Sequence, residues 1–386
     1  MNHLSAMVFL SRDPQGPSPL LQDILFDPAA RWLAEALRSA GVERFFVVCD
    51  REDAEKAALC FPEGTTVVSD GDGDATVRLH GFLEENPGNL AVITRPVLLA
   101  PEGTAFSLPG KEPPKSVFSL KGSSLLAALR DGKSFGDAVH AMGDAAPWKG
   151  RVLPLENDPS YLAFTVEPMA KNLSVERLLA DGVRIMDPAQ VYVGPSVKVG
   201  RGTVLLPGTI LRGETVIGED CVIGPNTMIR DCVIGDRVTV NASQLNESVV
   251  EEETTVGPFA YVRPHTHVGK GVKVGDFVEL KNSTIGDGTK ISHLTYVGDS
   301  DVGQKVNFGC GTVTVNYDGT KKFRTVIGDH AFIGCNTNLV APVEVGEGAY
   351  TAAGSTITDD VPAESLAIAR SRQELKKDWV KRRRKG

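Results

Sequence analysis

An aliphatic side chain recurs about every sixth residue between Val193 and Ile357, and this period limits the fold more than any other feature of the chain. Two stretches show the period without a gap: Val193, Val199, Leu205, Leu211, Ile217 and Ile223, then Val256, Val262, Val268, Val274 and Leu280. The pattern is typical of a parallel β-helix, in which each hexapeptide is a short strand plus a turn. Three hexapeptides then make one triangular coil, and the coils stack into a column.

The repeat also predicts where its residues lie. The aliphatic side chains should point into the prism, and the Gly or Asn residues should lie at corners with a positive φ, which Gly adopts at little cost. The period is lost after Ile234 until Val256, and it breaks again between Phe308 and Ile327. The second break holds the polar segment 316–323, which we expect to leave the scaffold as a loop. Loops on rigid scaffolds are where functional residues concentrate.

The region before residue 170 has a different pattern, in which short apolar strands alternate with helices. The predicted strands are 6–10, 44–48, 66–68 and 90–94, and the predicted helices are 29–39, 50–59 and 75–85. This alternation indicates an α/β domain with a parallel sheet. The sequence therefore divides into an α/β domain at 1–170, a linker helix at 171–188, an all-β helix of coils at 189–375 and a basic tail at 376–386.

Composition restricts the classes of function. The net charge of −8 over 386 residues argues against nucleic acid as a partner. We find neither a signal peptide nor an apolar run long enough to span a membrane, so we expect a cytoplasmic protein without a membrane partner. The six Cys lack metal-type spacing, which indicates free thiols. The basic run 381–385 is either a solvated tail or a contact for an anionic ligand such as a nucleotide.

Ordered motifs in the second half of the chain resemble a known family. The motifs are Val262-Arg263-Pro264, Gly275 to Lys281, His293 to Asp299, Gly311-Thr312, Asn316 to Gly319, Lys322-Phe323 and Leu339 to Val343. Together they resemble the acetyltransferase domain of the GlmU family, bacterial enzymes that are both glucosamine-1-phosphate N-acetyltransferases and N-acetylglucosamine-1-phosphate uridyltransferases. The resemblance covers residues 180–375. It implies a left-handed parallel β-helix, a homotrimer, and active sites between neighbouring subunits.

The same resemblance implies roles for individual residues. The residue that matches the catalytic base is His293. The residues that match the amino-sugar phosphate site are Arg263, Lys281, Tyr296, Asn307 and Lys322. The residues that match the acetyl-CoA site are Cys310, Asn316, Tyr317, Cys335, Ala353 and Arg370. Two of them depart from the family, which carries a small residue in place of Cys310 and Ser in place of Cys335.

The chemistry of acetyl transfer agrees with these residue types. A sugar amine is partly protonated near neutral pH, and His is the side chain that titrates in the range suited to its base. His293 lies in a segment with few other titratable groups. Arg263, Lys281 and Lys322 are suited to a phosphate, and we expect backbone N–H groups at residues 309–311 to face the oxyanion. Acetyl-CoA brings an activated thioester, so acetyl transfer itself requires no metal.

The first domain departs from the uridyltransferase domain of the family. That domain begins with a Gly-rich loop and a Lys that bind a triphosphate, whereas residues 11–19 contain prolines and no GxG. The first Lys of the chain is Lys56, and residues 93–98 lack the carboxylate that holds magnesium in the family. We therefore expect a degenerate Rossmann-like nucleotidyltransferase domain that has lost uridyl transfer. The acidic segment 70–75 is either a plain loop or a remnant of a nucleotide-contacting turn.

Three functions stay open on the sequence. The first is an acetyl-CoA-dependent N-acetyltransferase that acts on glucosamine-1-phosphate, in the pathway to UDP-N-acetylglucosamine. The second is a bifunctional enzyme that also retains uridyl transfer. The third is a non-catalytic trimeric protein whose first domain binds a nucleotide or a partner. The intact set of His293 and its cations argues against the third function, and the altered first loop argues against the second.

Overall fold

The computed structural model describes residues 4–12, 16–69, 71–101, 116–142 and 150–384. The chain forms two compact units, Met1–Lys198 with Leu211–Glu214, and Val199–Ile210 with Thr215–Gly386. Some residues of the predicted segments lie outside the described ones: Asp13 in the first loop, Asp70 in the acidic segment and Lys385 in the basic run.

A five-stranded sheet forms the centre of the first unit. Its strands lie in the order Thr66–Ser69, Val42–Cys49, Leu4–Leu10, Asn89–Ile93 and Val117–Lys121. The first four strands are parallel, as predicted, but the fifth runs antiparallel to its neighbour. The sheet is therefore mixed rather than parallel, because it carries an antiparallel edge strand that the alternation of strands and helices does not predict.

Apolar side chains cover both faces of this sheet. Ala6, Val8 and Leu10 belong to one buried cluster, and Met7, which points the other way along the same strand, belongs to a second cluster. The α-helices of this unit are Ala29–Ser39, Ala54–Ala58, Ala75–Glu85, Gly122–Arg130, Phe135–Met142, Pro159–Tyr161 and Glu167–Ala180. The segment Leu162–Val166 is a π-helix, and 3-10 turns lie at Pro19–Leu21, Arg51–Asp53 and Pro188–Gln190. The helices predicted at 29–39 and 75–85 are confirmed, whereas 50–59 splits into a 3-10 turn and a short helix.

Short strands complete the first unit. They are Asp23–Ile24 paired with Asp27–Pro28, Val97–Pro101 paired with Gly150–Pro154, and the strands Arg184–Ile185 and Tyr192–Val193, with Lys198–Val199 at the end of the unit. Among the described residues of the whole chain, every helix is too short or too polar to span a lipid bilayer.

Parallel strands on three faces build the second unit. Face one holds Val204–Leu205, Val222–Ile223, Thr239–Val240, Thr255–Val256, Lys273–Asp276, Lys290–His293, Asn307–Phe308, Phe332–Ile333, Tyr350–Thr351 and Leu366–Ala367. Face two holds Ile210–Arg212, Met228–Arg230, Gln244–Asn246, Tyr261–Val262, Glu279–Lys281, Tyr296–Gly298, Val313–Val315, Asn338–Val340 and Thr356–Ile357. Face three holds Val216–Ile217, Val233–Ile234, Val249–Val250, His267–Val268, Thr284–Ile285, Ser300–Val302, Thr325–Ile327 and Val343–Val345. A short helix, Trp379–Arg383, follows the coils.

Successive strands along the chain pass from face to face, so each strand pairs with the strand one coil later. Ile223 pairs with Val240, for example, and Leu280 with Val297. This architecture is that of a parallel β-helix of hexapeptide repeats, and it is consistent with the left-handed class that the family resemblance implies.

The aliphatic repeat forms the core of the prism, as predicted. Ile223, Leu280 and Ile333 have no exposed surface, and the other residues of the repeat are buried as well. The repeat also continues through the stretch where the sequence loses the period, because Val240, Leu245 and Val250 are fully buried there. Two successive repeats there are five residues long instead of six, which hides the pattern from a strict count of six.

Most glycines that follow the aliphatics have a different role from the one predicted, although Gly224 and Gly257 do have a positive φ. Gly200 and Gly218 do not take a positive φ. A Cβ on Gly218 would lie 2.7 Å from the carbonyl carbon of Gly235, and a Cβ on Gly200 would lie 2.6 Å from that of Gly218. Close contact between backbones of adjacent coils therefore requires these glycines.

The positive φ angles fall one or two residues later, and many of them belong to residues other than Gly or Asn. Asn226, Asn282 and Asn336 fit the prediction, but Phe277 and Leu294 have φ values of 53° and 43°. Such values are uncommon for bulky residues. The stacked coils hold the corners in this conformation whatever side chain the sequence supplies.

Burial of the repeat gives a direct test. Ile217→Ala should lower the free energy of unfolding by about 2–5 kcal/mol, because it leaves a cavity in a column of packed side chains. Val216→Ala is the matched control, since Val216 lies in the same strand and is 39% exposed. The midpoint of urea unfolding, followed by circular dichroism, measures both. Equal shifts for the two variants would contradict an aliphatic core at this position.

Candidate active site

His293 ends a strand of face one, and its imidazole is paired with a carboxylate. Asp276 ends the preceding strand of that face, in register with His293, and its Oδ1 lies 2.6 Å from Nδ1 of the imidazole. The hydrogen bond from His293 lowers the pKa of the Asp276 carboxyl below its ordinary value. An ionised carboxylate only accepts hydrogen bonds, so Nδ1 carries the proton and Nε2 of the neutral ring is free to accept one.

The residues at the position of His293 on successive coils form a row, which we call the histidine edge. It consists of Asp276, His293, Cys310, Cys335 and Ala353, and each precedes a corner residue with a positive φ. The strands that lead into these corners pair in register from coil to coil. The row is held by backbone hydrogen bonds, including one of 2.8 Å from Asn336 N–H to the Cys310 carbonyl.

The histidine edge brings three of the predicted acetyl-CoA residues into one line with the predicted base. Cys335 is exposed, and Cys310 is half-buried one coil before it. Ala353 follows one coil later, and the Arg370 side chain lies beside the next residue, because a Cβ on Gly354 would be 3.8 Å from Arg370 Cδ. A ligand that follows this edge would meet these residues in sequence.

A second group of predicted residues lies on and beside face two. Lys281 and Tyr296 belong to neighbouring strands of that face. Lys281 Nζ lies 3.2 Å from a carboxylate oxygen of Asp299, which is almost fully buried. The Asn316 amide donates to the same carboxylate and, at 3.3 Å, to the Tyr296 hydroxyl. We call Lys281, Tyr296, Asp299, Asn316 and Lys322 the lysine cluster.

Lys322 joins this cluster through Lys281. A hydrogen bond that Lys281 donates to the neutral amine of Lys322, together with the charge of Lys281, lowers the pKa of Lys322. When both groups are protonated they repel each other, and an anion bound between them would remove that repulsion. The loop that carries Lys322 is folded on itself, since Asp318 accepts hydrogen bonds from the backbone N–H groups of Thr320 and Lys321.

Arg263 lies on the coil before Lys281, next to Tyr261. Its guanidinium forms a 2.7 Å ion pair with Glu279, and both side chains are more than one-third exposed. Asn307 lies in the strand of face one between those of His293 and Phe332, and it is half-buried. Tyr317 is exposed, and its hydroxyl donates to the Gly319 carbonyl at 2.6 Å.

Contacts between coils change two expectations about the site. Residues near His293 in sequence offer few titratable groups, but Asp276 lies beside it one coil earlier. The backbone N–H groups of residues 309–311 are largely engaged, because Gly309 donates to the Ile333 carbonyl at 2.7 Å and Gly311 to the Leu294 carbonyl at 3.1 Å. Stacking of the coils uses the Gly309 and Gly311 donors, so these two are not available to an oxyanion; for the Cys310 N–H the expectation stays a prediction.

Three carboxylates of the site were missed from the sequence: Asp276, Glu279 and Asp299. Each of them contacts a predicted residue on the next or the previous coil. The signal that finds them is the length of one coil, 17 residues in the case of Asp276 and His293. Contacts across coils recur at this separation throughout the repeat.

The start of the first unit has the features of an internally bonded turn. The hydroxyl of Ser18 accepts the Leu20 N–H at 3.3 Å, and the Ser18 carbonyl accepts the Leu21 N–H at 2.8 Å. The guanidinium of Arg12 pairs with the carboxylates of Asp50, Glu52 and Asp53. These groups are therefore engaged within the protein rather than directed at a phosphate.

The described part of the acidic segment is hydrogen-bonded within itself. Asp72 accepts the Ser69 N–H at 2.8 Å, and its hydrogen bonds with Ser69 lower its pKa, as in an ordinary turn. Within the described ranges, no group of three or more His, Cys, Asp or Glu residues is arranged to hold a metal ion. The basic tail contains the exposed helix Trp379–Arg383, in which the Arg383 guanidinium lies 4.8 Å from the centre of the Trp379 ring.

Comparison with known proteins adds to this geometry. Residues 214–243 and 324–359 match the bacterial transferase hexapeptide family (six repeats). The chain is similar to GlmU over about half its length. It is 58% identical over 206 residues to the bifunctional protein GlmU of Acetivibrio thermocellus, which covers 53% of this chain and 45% of that protein. It is 55% identical over 219 residues to the bifunctional protein GlmU of Clostridium perfringens, which covers 57% and 48%.

The chain thus spans less than half the length of these curated relatives. A solved structure, the UDP-N-acetylglucosamine acyltransferase from Campylobacter jejuni, is 19% identical, covers 52% of this chain and 81% of its own, and superposes with a TM-score of 0.32.

Asp299 gives a test of the lysine cluster that does not depend on function. Burial raises the pKa of Asp299, but hydrogen bonds from Asn282 and Lys281 and the charge of Lys281 outweigh it, so the pKa is lowered overall. A lowered pKa stabilises the fold above the unfolded value of about 4, and this stabilisation is lost as the pH falls through the folded value. Asp299→Asn should therefore cost about 1–3 kcal/mol at neutral pH, a difference that shrinks in acid.

Urea unfolding of the wild-type protein and of the Asp299→Asn variant, at pH values from neutral to acidic, measures this difference in the free energy of unfolding. Asp301→Asn is the control, because Asp301 pairs with Arg324 on the exposed surface, where ion pairs contribute little. A constant difference at every pH would contradict the role of the Asp299 charge.

Proposed function

We propose that the β-helix unit is an acetyl-CoA-dependent N-acetyltransferase, with His293 as general base and glucosamine-1-phosphate as the acceptor. The observation that carries this proposal is the Asp276–His293 pair, which stands in register with Cys310 and Cys335 on the histidine edge. Similarity to GlmU over about half of the chain supports the choice of reaction and acceptor. A protein that uses acetyl-CoA in this way belongs in the cytoplasm.

The tautomer of His293 with the proton on Nδ1 leaves Nε2 as the base of the proposed reaction. The neutral amine of the sugar attacks the thioester carbonyl, and a C–N bond forms while the carbonyl π bond shifts to oxygen. Nε2 takes the proton that the amine loses, and Asp276 stabilises the imidazolium because its charge faces Nδ1. The oxyanion then re-forms the carbonyl, the C–S bond breaks, and the coenzyme A thiolate recovers the proton from Nε2.

The lysine cluster and Arg263 supply the charge that a sugar phosphate needs. Lys281 and Lys322 are in contact, and Arg263 lies near enough for its charge to lower the pKa of Lys322 further. A phosphate accepts hydrogen bonds from several cations at once. Binding would relieve the repulsion between the ammonium groups. Tyr296 and Asn307 complete the proposed acceptor site.

The histidine edge is the proposed acetyl-CoA site. Cys310 and Cys335 would border the thioester, and Ala353 and Arg370 would follow the coenzyme A along the stack, together with Tyr317. Asn316 would contribute to the acetyl-CoA site indirectly, through the lysine cluster. Its buried amide donates hydrogen bonds to Asp299 and Tyr296.

We further propose a homotrimer, with each active site completed by a neighbouring subunit. Exposed apolar residues on the corner beside the histidine edge support it, since Phe259 and Phe277 stack at 5.4 Å and Leu294 follows one coil later. Exposed apolar ladders of this kind are usually covered by a partner. Sedimentation equilibrium at micromolar concentration should give three times the mass of the chain, and a monomer there would refute the assembly.

A second candidate function is a bifunctional enzyme, because the curated relatives are named as bifunctional proteins. The engaged groups at Ser18 and Arg12 weigh against uridyl transfer by the first unit. A single assay separates the two candidates. Purified protein is given acetyl-CoA and glucosamine-1-phosphate while coenzyme A release is followed, and is then given UTP, magnesium and N-acetylglucosamine-1-phosphate while pyrophosphate release is followed. Release of coenzyme A alone supports the N-acetyltransferase.

Substitution of the base provides the sharpest test of the mechanism. His293→Ala should lower kcat for acetyl transfer by about 10²–10⁴-fold, the usual contribution of general base catalysis. Asp276→Asn keeps an acceptor for Nδ1 but removes the charge, so kcat should fall by less while KM for the amino sugar hardly changes.

The matched control is His267→Ala. His267 also pairs with a carboxylate, that of Glu251 at 2.6 Å, but it lies on face three, away from the histidine edge. Normal turnover by His293→Ala, or an equal loss in His267→Ala, would show that the base lies elsewhere.

A further inference from the structure

Two free cysteines are direct neighbours on the histidine edge. Asn307 pairs with Phe332 and Phe308 with Ile333, and the same register two residues later sets Cys310 against Cys335. The coils are in close contact at this point, because the Asn336 N–H donates to the Cys310 carbonyl at 2.8 Å and a Cβ on Gly309 would lie 2.8 Å from the Cys335 Cα. The two side chains leave adjacent coils from equivalent positions.

This spacing suits a disulfide. Neighbouring strands of a sheet lie about 4.7–4.9 Å apart, and the Cα atoms of a disulfide are usually about 4.4–6.8 Å apart. Cys335 is exposed and Cys310 is half-buried, so a reagent in solution reaches the first thiol and the second lies beside it.

The remaining cysteines differ in burial. Cys221 and Cys232 fill the interior of the coils, and Cys49 and Cys60 are buried in the first unit. Burial raises the pKa of the Cys232 thiol to about 11, as it does for Cys60. Since the thiolate is the reactive form, these thiols are unreactive near neutral pH and serve as internal references.

We propose that Cys310 and Cys335 form a dithiol site that a low-molecular-weight disulfide oxidises to an intramolecular disulfide. The Cys335 thiolate attacks one sulfur of the reagent, the S–S bond breaks, and one small thiol leaves with a proton. The Cys310 thiolate then attacks the Cys335 sulfur and displaces the second small thiol. Two protein thiols are oxidised, and one small disulfide is reduced to two thiols.

The site would also control the reaction proposed above, and this part rests on the proposed function. A disulfide there occupies the stretch of the histidine edge that the thioester would border. Oxidation would therefore prevent acetyl-CoA binding, and a reductant would restore it. Coenzyme A disulfide contains both a reactive S–S bond and the coenzyme A moiety that the site is proposed to bind. It should therefore react faster than oxidised glutathione.

Peptide mapping of the full chain tests the dithiol directly. Reduced protein is incubated with coenzyme A disulfide or with oxidised glutathione, denatured in an alkylating agent and digested with trypsin without reduction. Lys321, Lys322 and Arg324 separate the two cysteines, so a disulfide joins two distinct peptides. We expect that joined pair, with Cys221 and Cys232 recovered as alkylated thiols.

Single variants assign the order of the steps. Cys310→Ser should accumulate a mixed disulfide at Cys335, because the resolving thiol is absent, and Cys335→Ser should give no joined pair. A stable mixed disulfide on the wild-type protein, or complete alkylation of both cysteines, would overturn the proposal.

Calorimetric titration with acetyl-CoA before and after oxidation tests the control of binding. Loss of binding that a reductant reverses is the expected result, and unchanged binding to the cross-linked protein would overturn that control. Mapping gives its answer whether or not the protein transfers acetyl groups. Failure of the dithiol and failure of the acetyltransferase are therefore distinguishable.

Discussion

In-register stacking of the coils is the constraint on which the second unit depends. Each strand donates and accepts backbone hydrogen bonds with the coils on either side, so a residue's position on the prism repeats one coil later. The aliphatic column fixes this register, because a slip by one residue would turn the apolar side chains outward. Glycines such as Gly218 let the backbones approach, and any Cβ there would meet the next coil.

The chemistry of the candidate site comes from the same stacking. Asp276 and His293 are 17 residues apart in the sequence, but the pairing of their strands places the two side chains at hydrogen-bond distance and orients the imidazole. The ladder also consumes backbone donors such as Gly309 N–H, which limits what the main chain can offer to a ligand. Side chains on the outer edge are therefore the groups that remain available to a ligand.

The two units contrast in what their polar groups do. In the first unit, Arg12 and the hydroxyl of Ser18 are satisfied by neighbouring groups of the protein. In the second, Lys281 and Lys322 face each other with one buried carboxylate, Asp299, to offset their charge. Clustered cations of this kind are stabilised by a bound anion, so the second unit has the charge arrangement of a binding site.

The sequence by itself determined the fold of the second unit and the kinds of residue in its site. Every aliphatic of the hexapeptide period lies in the core, because burial of one side chain per face leaves a signal that a simple count detects. The α/β character of the first unit and its helices 29–39 and 75–85 also followed from local periodicity. The role of His293 remains a prediction, which rests on family resemblance.

Only the tertiary structure decided which residues meet. The partners Asp276, Glu279 and Asp299, the antiparallel edge strand Val117–Lys121 and the adjacency of Cys310 with Cys335 depend on contacts between segments that are distant along the chain. Local patterns do not encode such contacts, because the length of each coil varies where a residue is lost or a loop is inserted. The register of the stack, which sums those lengths, is set by packing of the whole column.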